Sequence, residues 1–183
     1  GECKIVSTSD YKADALVAKE KLSTVSDSMC LAKWNQTSLH LPTGLTNSCY
    51  HPPLHRIDEG MLKHNPAALH NTHEKLQERA MMLDGDKPQG CSYCWNMEKT
   101  GEMSDRHYRS GEPWAMQDFD DIRKNPIDDK WTPRYVEVNF NNACNLKCSY
   151  CSPQFSTTWA KEVERYGEYP TSPPHNAPEH FQG

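Results

Sequence analysis

Seven of the eight cysteines in this 183-residue chain fall into two groups whose spacing could do metal chemistry. The tighter group is Cys144-Asn145-Leu146-Lys147-Cys148-Ser149-Tyr150-Cys151, a C-x3-C-x2-C run. Three thiolates so close together can grip one face of a metal cluster. Their odd number and short spacing prevent them from all pairing off as disulfides. An iron–sulfur cluster normally takes four thiolates, so three local ligands leave one iron free. An open metal position is what separates a catalytic site from a closed structural one. A zinc knuckle is the bland alternative. The second group is Cys30, Cys49, Cys91 and Cys94, the last two as C-x2-C. Four thiolates are enough to close one iron–sulfur cluster, and they suit structural zinc as well. His51, two residues after Cys49, could replace a thiolate. Cys3 stands alone and reads as an unligated thiol.

These groups need elements to position them. Tyr135 to Phe140 alternates Val136, Val138 and Phe140 against Tyr135, Glu137 and Asn139, a strand pattern over 134–140 leading into the cysteine run. After Cys151, Ser152-Pro153 break the chain, and Ser156 can cap a helix carrying Trp159 and Val163 inward with Glu162 and Glu164 outward. Strand, cysteine loop and helix form the first βα unit of a parallel sheet. Within the loop, Lys147 reads as a solvated side chain. Around the second group, Leu39 and Leu41 alternate before Pro42-Thr43-Gly44, which predicts a β-hairpin with Cys30 ahead of its first strand and Cys49 at the end of its second. Strand ends in a hairpin come close in space. Asn65-Pro66 predicts a helix start, with Leu69, Leu76, Ala80 and Leu83 as its apolar stripe and Glu74, Lys75, Glu78 and Arg79 on the wet side. Gly85 is a plausible stop. An amphipathic helix over 11–25 would bury Ala15, Leu16, Ala18 and Leu22. Residues 50–60 and 96–111 read as loops. Trp114, Phe119 and Ile122 mark another helical run, with Asp118, Asp120 and Asp121 on its solvated face.

The C-x3-C-x-aromatic-C run after a strand resembles the signature of the radical S-adenosylmethionine (SAM) superfamily. The resemblance implies that Cys144, Cys148 and Cys151 hold a 4Fe–4S cluster whose free iron chelates SAM, and that Tyr150 packs near the SAM adenine. It implies reductive cleavage of SAM to a 5′-deoxyadenosyl radical that abstracts hydrogen from a substrate, with electrons from a donor such as a flavodoxin or ferredoxin. The pattern Cys30, Trp34, Gly44, Cys49, helix, Cys91-x2-Cys94 resembles the twitch or SPASM-type auxiliary cluster module, which implies a second 4Fe–4S cluster. That module usually follows the barrel, and here it precedes the signature. A complete βα barrel needs roughly 200 residues or more, so the expectation is the opening of a radical SAM barrel rather than the whole of it.

The resulting organisation is α/β, with α+β character in the N-terminal part: a helix and linker over 1–28, a cluster module over 29–124, a linker over 125–133 punctuated by Asn125-Pro126 and Thr132-Pro133, and the start of the barrel over 134–183. The formal net charge is -5, and no Lys/Arg run offers a clear nucleic-acid surface. No apolar run approaches the roughly 18 residues of a membrane span. Two tight cysteine clusters without a signal sequence favour metal ligation in a reducing cytoplasm over disulfides. A mean hydropathy of -0.89 leaves a thin core, which metal ligation could supplement. The rival to an enzyme is a non-catalytic zinc-binding, structural or electron-transfer module. The substrate is not legible.

Overall fold

A computed structural model describes residues 8–149 and 151–168. The fold is mixed α/β. Helix α1 (Thr8–Ser23) is followed by a short turn of helix, α2 (Ala32–Asn35), and a hairpin of β1 (Gln36–His40) and β2 (Leu45–Asn47). The chain then runs through β3 (His55–Arg56), α3 (Glu59–Leu62), α4 (His73–Leu83), α5 (Ser92–Lys99), α6 (Asp105–Gly111), α7 (Pro113–Met116) and α8 (Phe119–Lys124). It ends in β4 (Tyr135–Asn139) and α9 (Thr157–Tyr166). Among the described residues no helix is long and apolar enough to cross a membrane.

The four strands form one mixed sheet in the order β3-β2-β1-β4. The hairpin is antiparallel, with Leu39 opposite Thr46. It turns through Gly44, whose φ of +68° a side chain would strain. Strand β4 lies parallel to β1, pairing Gln36 with Tyr135 and His40 with Asn139. The sheet therefore runs straight across the linker expected at 125–133. That linker is tied down: Asn71 Nδ2 donates to the carbonyls of Asp129 and Trp131, and Trp131 Nε1 donates to Asn35 Oδ1 at 2.9 Å.

The core packs Leu22, Met29, Leu31, Trp34, Met82, Trp95, Phe119 and Ile122 around Cys30, Cys91 and Cys94. Helix α1 contributes Ala15, Ala18 and Leu22 as expected, but Leu16 lies on the outer face, 48% exposed. Leu41 sits beyond β1 in the turn and is also exposed. The larger correction concerns α4. Its buried face is Lys75, Arg79 and Met82, not the leucine stripe, which is only half-buried. The polar groups are held by partners that hydropathy does not register. Lys75 Nζ donates to Thr37 Oγ1 and Thr46 Oγ1 at 2.7 and 3.0 Å, and Arg79 Nε donates to the Lys33 carbonyl at 3.1 Å. The expected single helix from Asn65 is divided: a 3-10 turn (Pro66–Leu69) capped by Asn65, then α4 capped by Thr72. Residues 96–111 are largely helical, since α5 and α6 occupy them. Asp118 is buried, not solvated, and pairs with Arg134 at 2.7 Å.

Candidate metal centres

Cys30, Cys49, Cys91 and Cys94 line a single cavity, although 61 residues separate Cys30 from Cys91 in the chain. Each is placed by a different piece of local structure. Cys30 ends the turn before α2, Cys49 follows β2, and Cys91 and Cys94 stand where a 3-10 turn passes into α5. The Trp95 ring fixes that junction by donating from Nε1 to the Pro88 carbonyl at 2.8 Å. All four thiols are free, and Cys30, Cys91 and Cys94 are buried. The unfilled space among the lining residues is about 480 Å³, mouth included.

The electrostatics of this cavity are those of a site for a negatively charged group. Burial, with neighbouring cysteines adding to it, pushes the Cys49 thiol up to about 12 and the Cys91 and Cys94 thiols up to about 11. As free thiols they stay protonated, and deprotonation requires a metal. Donors already address three of the sulfurs. The backbone N–H of His51 lies toward Cys49 and that of Arg106 toward Cys94, and the positive charge of Lys33 bears on Cys91. Lys33 is 2% exposed and pairs with Glu78 at 2.5 Å. Arg106 is also buried, forked onto Glu98 and the carbonyls of Asp27 and Met29. Ser48 lines the cavity, is 1% exposed, and its hydroxyl has no partner.

A thiolate-ligated cluster fits this donor set. Its net charge is negative, and its sulfurs accept the hydrogen bonds that Lys33, the two N–H groups and Ser48 offer. Thiolates on one tetrahedral zinc stand about 3.8 Å apart, as follows from zinc–sulfur bonds of about 2.3 Å. On a cubane cluster they stand farther apart. Among the described residues no group of three His, Cys, Asp or Glu side chains is arranged to hold a metal ion. His51 faces the same cavity, but its Nε2 is engaged with Asp105 Oδ2 at 2.7 Å and its ring stacks on Tyr93.

Cys144, Cys148 and Cys151 lie together in the irregular loop between β4 and α9. All three are half-buried and unpaired. The loop is wrapped onto the first turn of α9. Cys144 N donates to Thr157 Oγ1 at 3.3 Å, and Thr158 Oγ1 donates back to the Cys144 carbonyl at 2.7 Å. Ser156 Oγ donates to the Leu146 carbonyl, and Trp159 Nε1 to the Cys148 carbonyl at 3.0 Å. Ser156 also caps α9 through Trp159 N. Trp159 thus turns toward the cysteine loop, and Glu162, expected outward, pairs with Lys147, expected to be solvated. Tyr150, the residue expected beside the adenine, lies outside the described residues, as does Cys3.

A second cleft adjoins the four-cysteine cavity. It is lined by the polar residues Ser38, His40, Asn47, Tyr50, Glu137 and Asn139 and by an apolar set that includes Leu39, Leu54, Val138 and Phe155, and it holds about 1290 Å³ of unfilled space including its mouth. Tyr50, adjacent to Cys49, lines both this cleft and the four-cysteine cavity. Its hydroxyl donates to Glu137 Oε1 at 2.5 Å, and Tyr135 donates to the same oxygen at 2.7 Å. Although burial opposes it, hydrogen bonds from Tyr50, Tyr135 and Ser38 hold the Glu137 carboxyl below its ordinary range. Lys33, Ser48, Tyr50, Arg106 and Glu137 are not evident as site residues from sequence. Only Lys33 carries a signal: it follows Cys30 by three residues, which places both on one face of a helical turn.

The chain matches no family model, no curated protein and no solved structure.

Proposed function

We propose that the chain is part of a radical SAM enzyme carrying two 4Fe–4S clusters, one open and one closed. The observation that carries the reading is the C-x3-C-x2-C loop after a parallel strand, gathered by side-chain hydrogen bonds onto the N-terminal turn of the following helix. Cys144, Cys148 and Cys151 would hold the open cluster, with thiols accessible enough for loading and exchange. Cys30, Cys49, Cys91 and Cys94 would hold the closed one, and the reading of this group as a twitch-like auxiliary centre rests on its four ligands and its donor-lined cavity. When bound, a reduced cluster with one open iron supplies the electron that cleaves SAM into methionine and a 5′-deoxyadenosyl radical.

The protein's own residues supply position and electrostatics. Ser156, Thr157, Thr158 and Trp159 fix the carbonyls of the ligand loop. The partial positive charge of the α9 N-terminus favours an anionic group beside it. The cleft beside the four-cysteine cavity offers Glu137, Tyr50, His40 and Asn139 for orienting a substrate. A reduced flavodoxin or ferredoxin is the expected class of electron donor.

The test is anaerobic reconstitution with ferrous iron and sulfide, followed by electron paramagnetic resonance (EPR) of the reduced protein with and without SAM. A 4Fe–4S signal that shifts on adding SAM, and is lost when Cys144, Cys148 and Cys151 are all changed to Ala, is the expected result. Protein that binds zinc tightly and takes up no iron would end the radical SAM reading and leave a structural metal module.

A further inference from the structure

Lys33 is an unusual residue to find at the bottom of a cysteine cavity. Its side chain is 2% exposed, and an isolated ammonium that deep would be strongly disfavoured. The Glu78 carboxylate, reaching in from α4 at 2.5 Å, holds it, and it lines the cavity with Cys30, Cys49, Cys91 and Cys94. Lys75 and Arg79 stack behind it, both 1% exposed or less, and Glu78 is the carboxylate that reaches this group from α4. Of these charged groups Lys33 lines the cavity, and Glu78, Lys75 and Arg79 do not. The unpartnered Ser48 hydroxyl adds a further uncommitted donor.

An iron–sulfur cluster becomes more negative by one charge on reduction, and its potential follows net charge, hydrogen bonds to sulfur and exposure. A fixed cation beside the cluster favours the reduced form. We propose that Lys33 is the potential-setting residue of the four-cysteine centre: its ammonium, positioned by Glu78 at the cavity that Cys91 also lines, raises the reduction potential of the cluster held there. The inference rests on the reading of Cys30, Cys49, Cys91 and Cys94 as an iron–sulfur site. It gives that centre a direction. With Lys33 beside it, the closed cluster accepts electrons more readily than it would in the same cavity without a cation.

The experiment uses the full chain with Cys144, Cys148 and Cys151 changed to Ala, so that one centre is observed. It is reconstituted anaerobically with ferrous iron and sulfide, assayed for iron, and titrated redox-wise by EPR and visible absorption. Lys33→Met should still load iron and should shift the reduction equilibrium about tenfold toward the oxidised cluster, or about 59 mV for one electron. Lys33→Arg should restore most of the shift. Glu78→Gln removes the opposing charge and should move the equilibrium the other way. A role in packing alone would not produce opposite shifts from the two partners. Equal potentials for the parent and Lys33→Met, or a Glu78→Gln shift in the same direction as Lys33→Met, would overturn the proposal. Should Lys33→Met fail to load, the Glu78→Gln shift decides: upward supports it, and none or downward refutes it. A parent that binds no iron refutes the four-cysteine reading itself, and the proposal with it.

Discussion

Arg134 grips Asp118 with both arms of its guanidinium, Nε to Oδ2 at 2.7 Å and Nη2 to Oδ1 at 2.8 Å. Asp118 is 4% exposed and also accepts from Asn35 Nδ2, while the Arg134 backbone N–H donates to the Asn35 carbonyl. This fork is where β4 is joined to the helices below it. Arg134→Met leaves a buried carboxylate with one neutral donor and should cost roughly 1–3 kcal/mol. The arginine is half exposed, which argues for the lower part of that range. Urea unfolding of the single variants and of Arg134→Met with Asp118→Asn should show strong coupling; additive losses would mean the fork contributes nothing as a pair.

Lys75 is fully buried with two threonine hydroxyls as its partners, and burial with Arg79 and Lys33 nearby holds its pKa well below the ordinary lysine value. Between that lowered value and 10.5 the unfolded chain binds a proton that the fold does not. Stability contributed by this group therefore rises with pH through that window. Lys75→Met should stabilise the metal-free protein, by roughly 1–4 kcal/mol on the precedent of buried charges replaced by apolar side chains. It should also flatten the rise at alkaline pH. Thermal unfolding at pH 7 and pH 9.5 checks both, and a destabilised variant would contradict the account.

His107 caps α6 by accepting from Ser104 N, while its Nε2 is buried without a partner. Burial, reinforced by the Arg106 charge, drops its pKa to about 4 from 6.5. The fold holds it neutral, so the unfolded state binds the extra proton between those values. Stability is lost as pH falls from 6.5 toward 4 and levels off below. His107→Asn keeps an acceptor for the Ser104 N–H and cannot titrate. Its urea midpoint should fall less than the parent's between pH 7 and pH 4.5, and parallel declines would count against His107.

Trp159 holds the cysteine loop by one indole hydrogen bond to the Cys148 carbonyl. Trp159→Phe removes it at a cost of about 1 kcal/mol. Amides of residues 144–149 should then exchange with solvent roughly fivefold faster, while those of β1 stay unchanged. Unaltered loop exchange would show that Ser156, Thr157 and Thr158 suffice.

Several of these elements are legible in the residue pattern alone. The hairpin around Gly44, strand β4 and the helix capped by Ser156 follow from period-two patterning, a turn glycine and a capping hydroxyl, signals that operate within a few residues. The grouping of Cys30, Cys49, Cys91 and Cys94 around one cavity also follows the expected hairpin and helix order. Buried charge is what the pattern conceals. Lys75, Arg79 and Asp118 look like solvent-facing residues because hydropathy scores a side chain alone, and their burial depends on Thr37, Thr46, Lys33 and Arg134 from distant parts of the chain. Helix α5 is short, and α6 is hidden because Tyr108 is its one large apolar residue and it is capped by Ser104 with a histidine where glutamate is usual. Strand β3, two residues long, has no pattern to detect.

The parallel ladder between β1 and β4 carries a consequence for how the chain comes together. Ser38 and Glu137 meet across a separation of 99 residues, and closing so long a loop costs entropy before any contact repays it. The hairpin, α4 and α5, by contrast, are local and can assemble early. The four-cysteine cavity draws its lining from Cys30 to Arg109 and includes no residue of β4 or of the triad loop. The triad loop, by contrast, hangs on β4 and α9, so the two cysteine groups rest on separate parts of the chain.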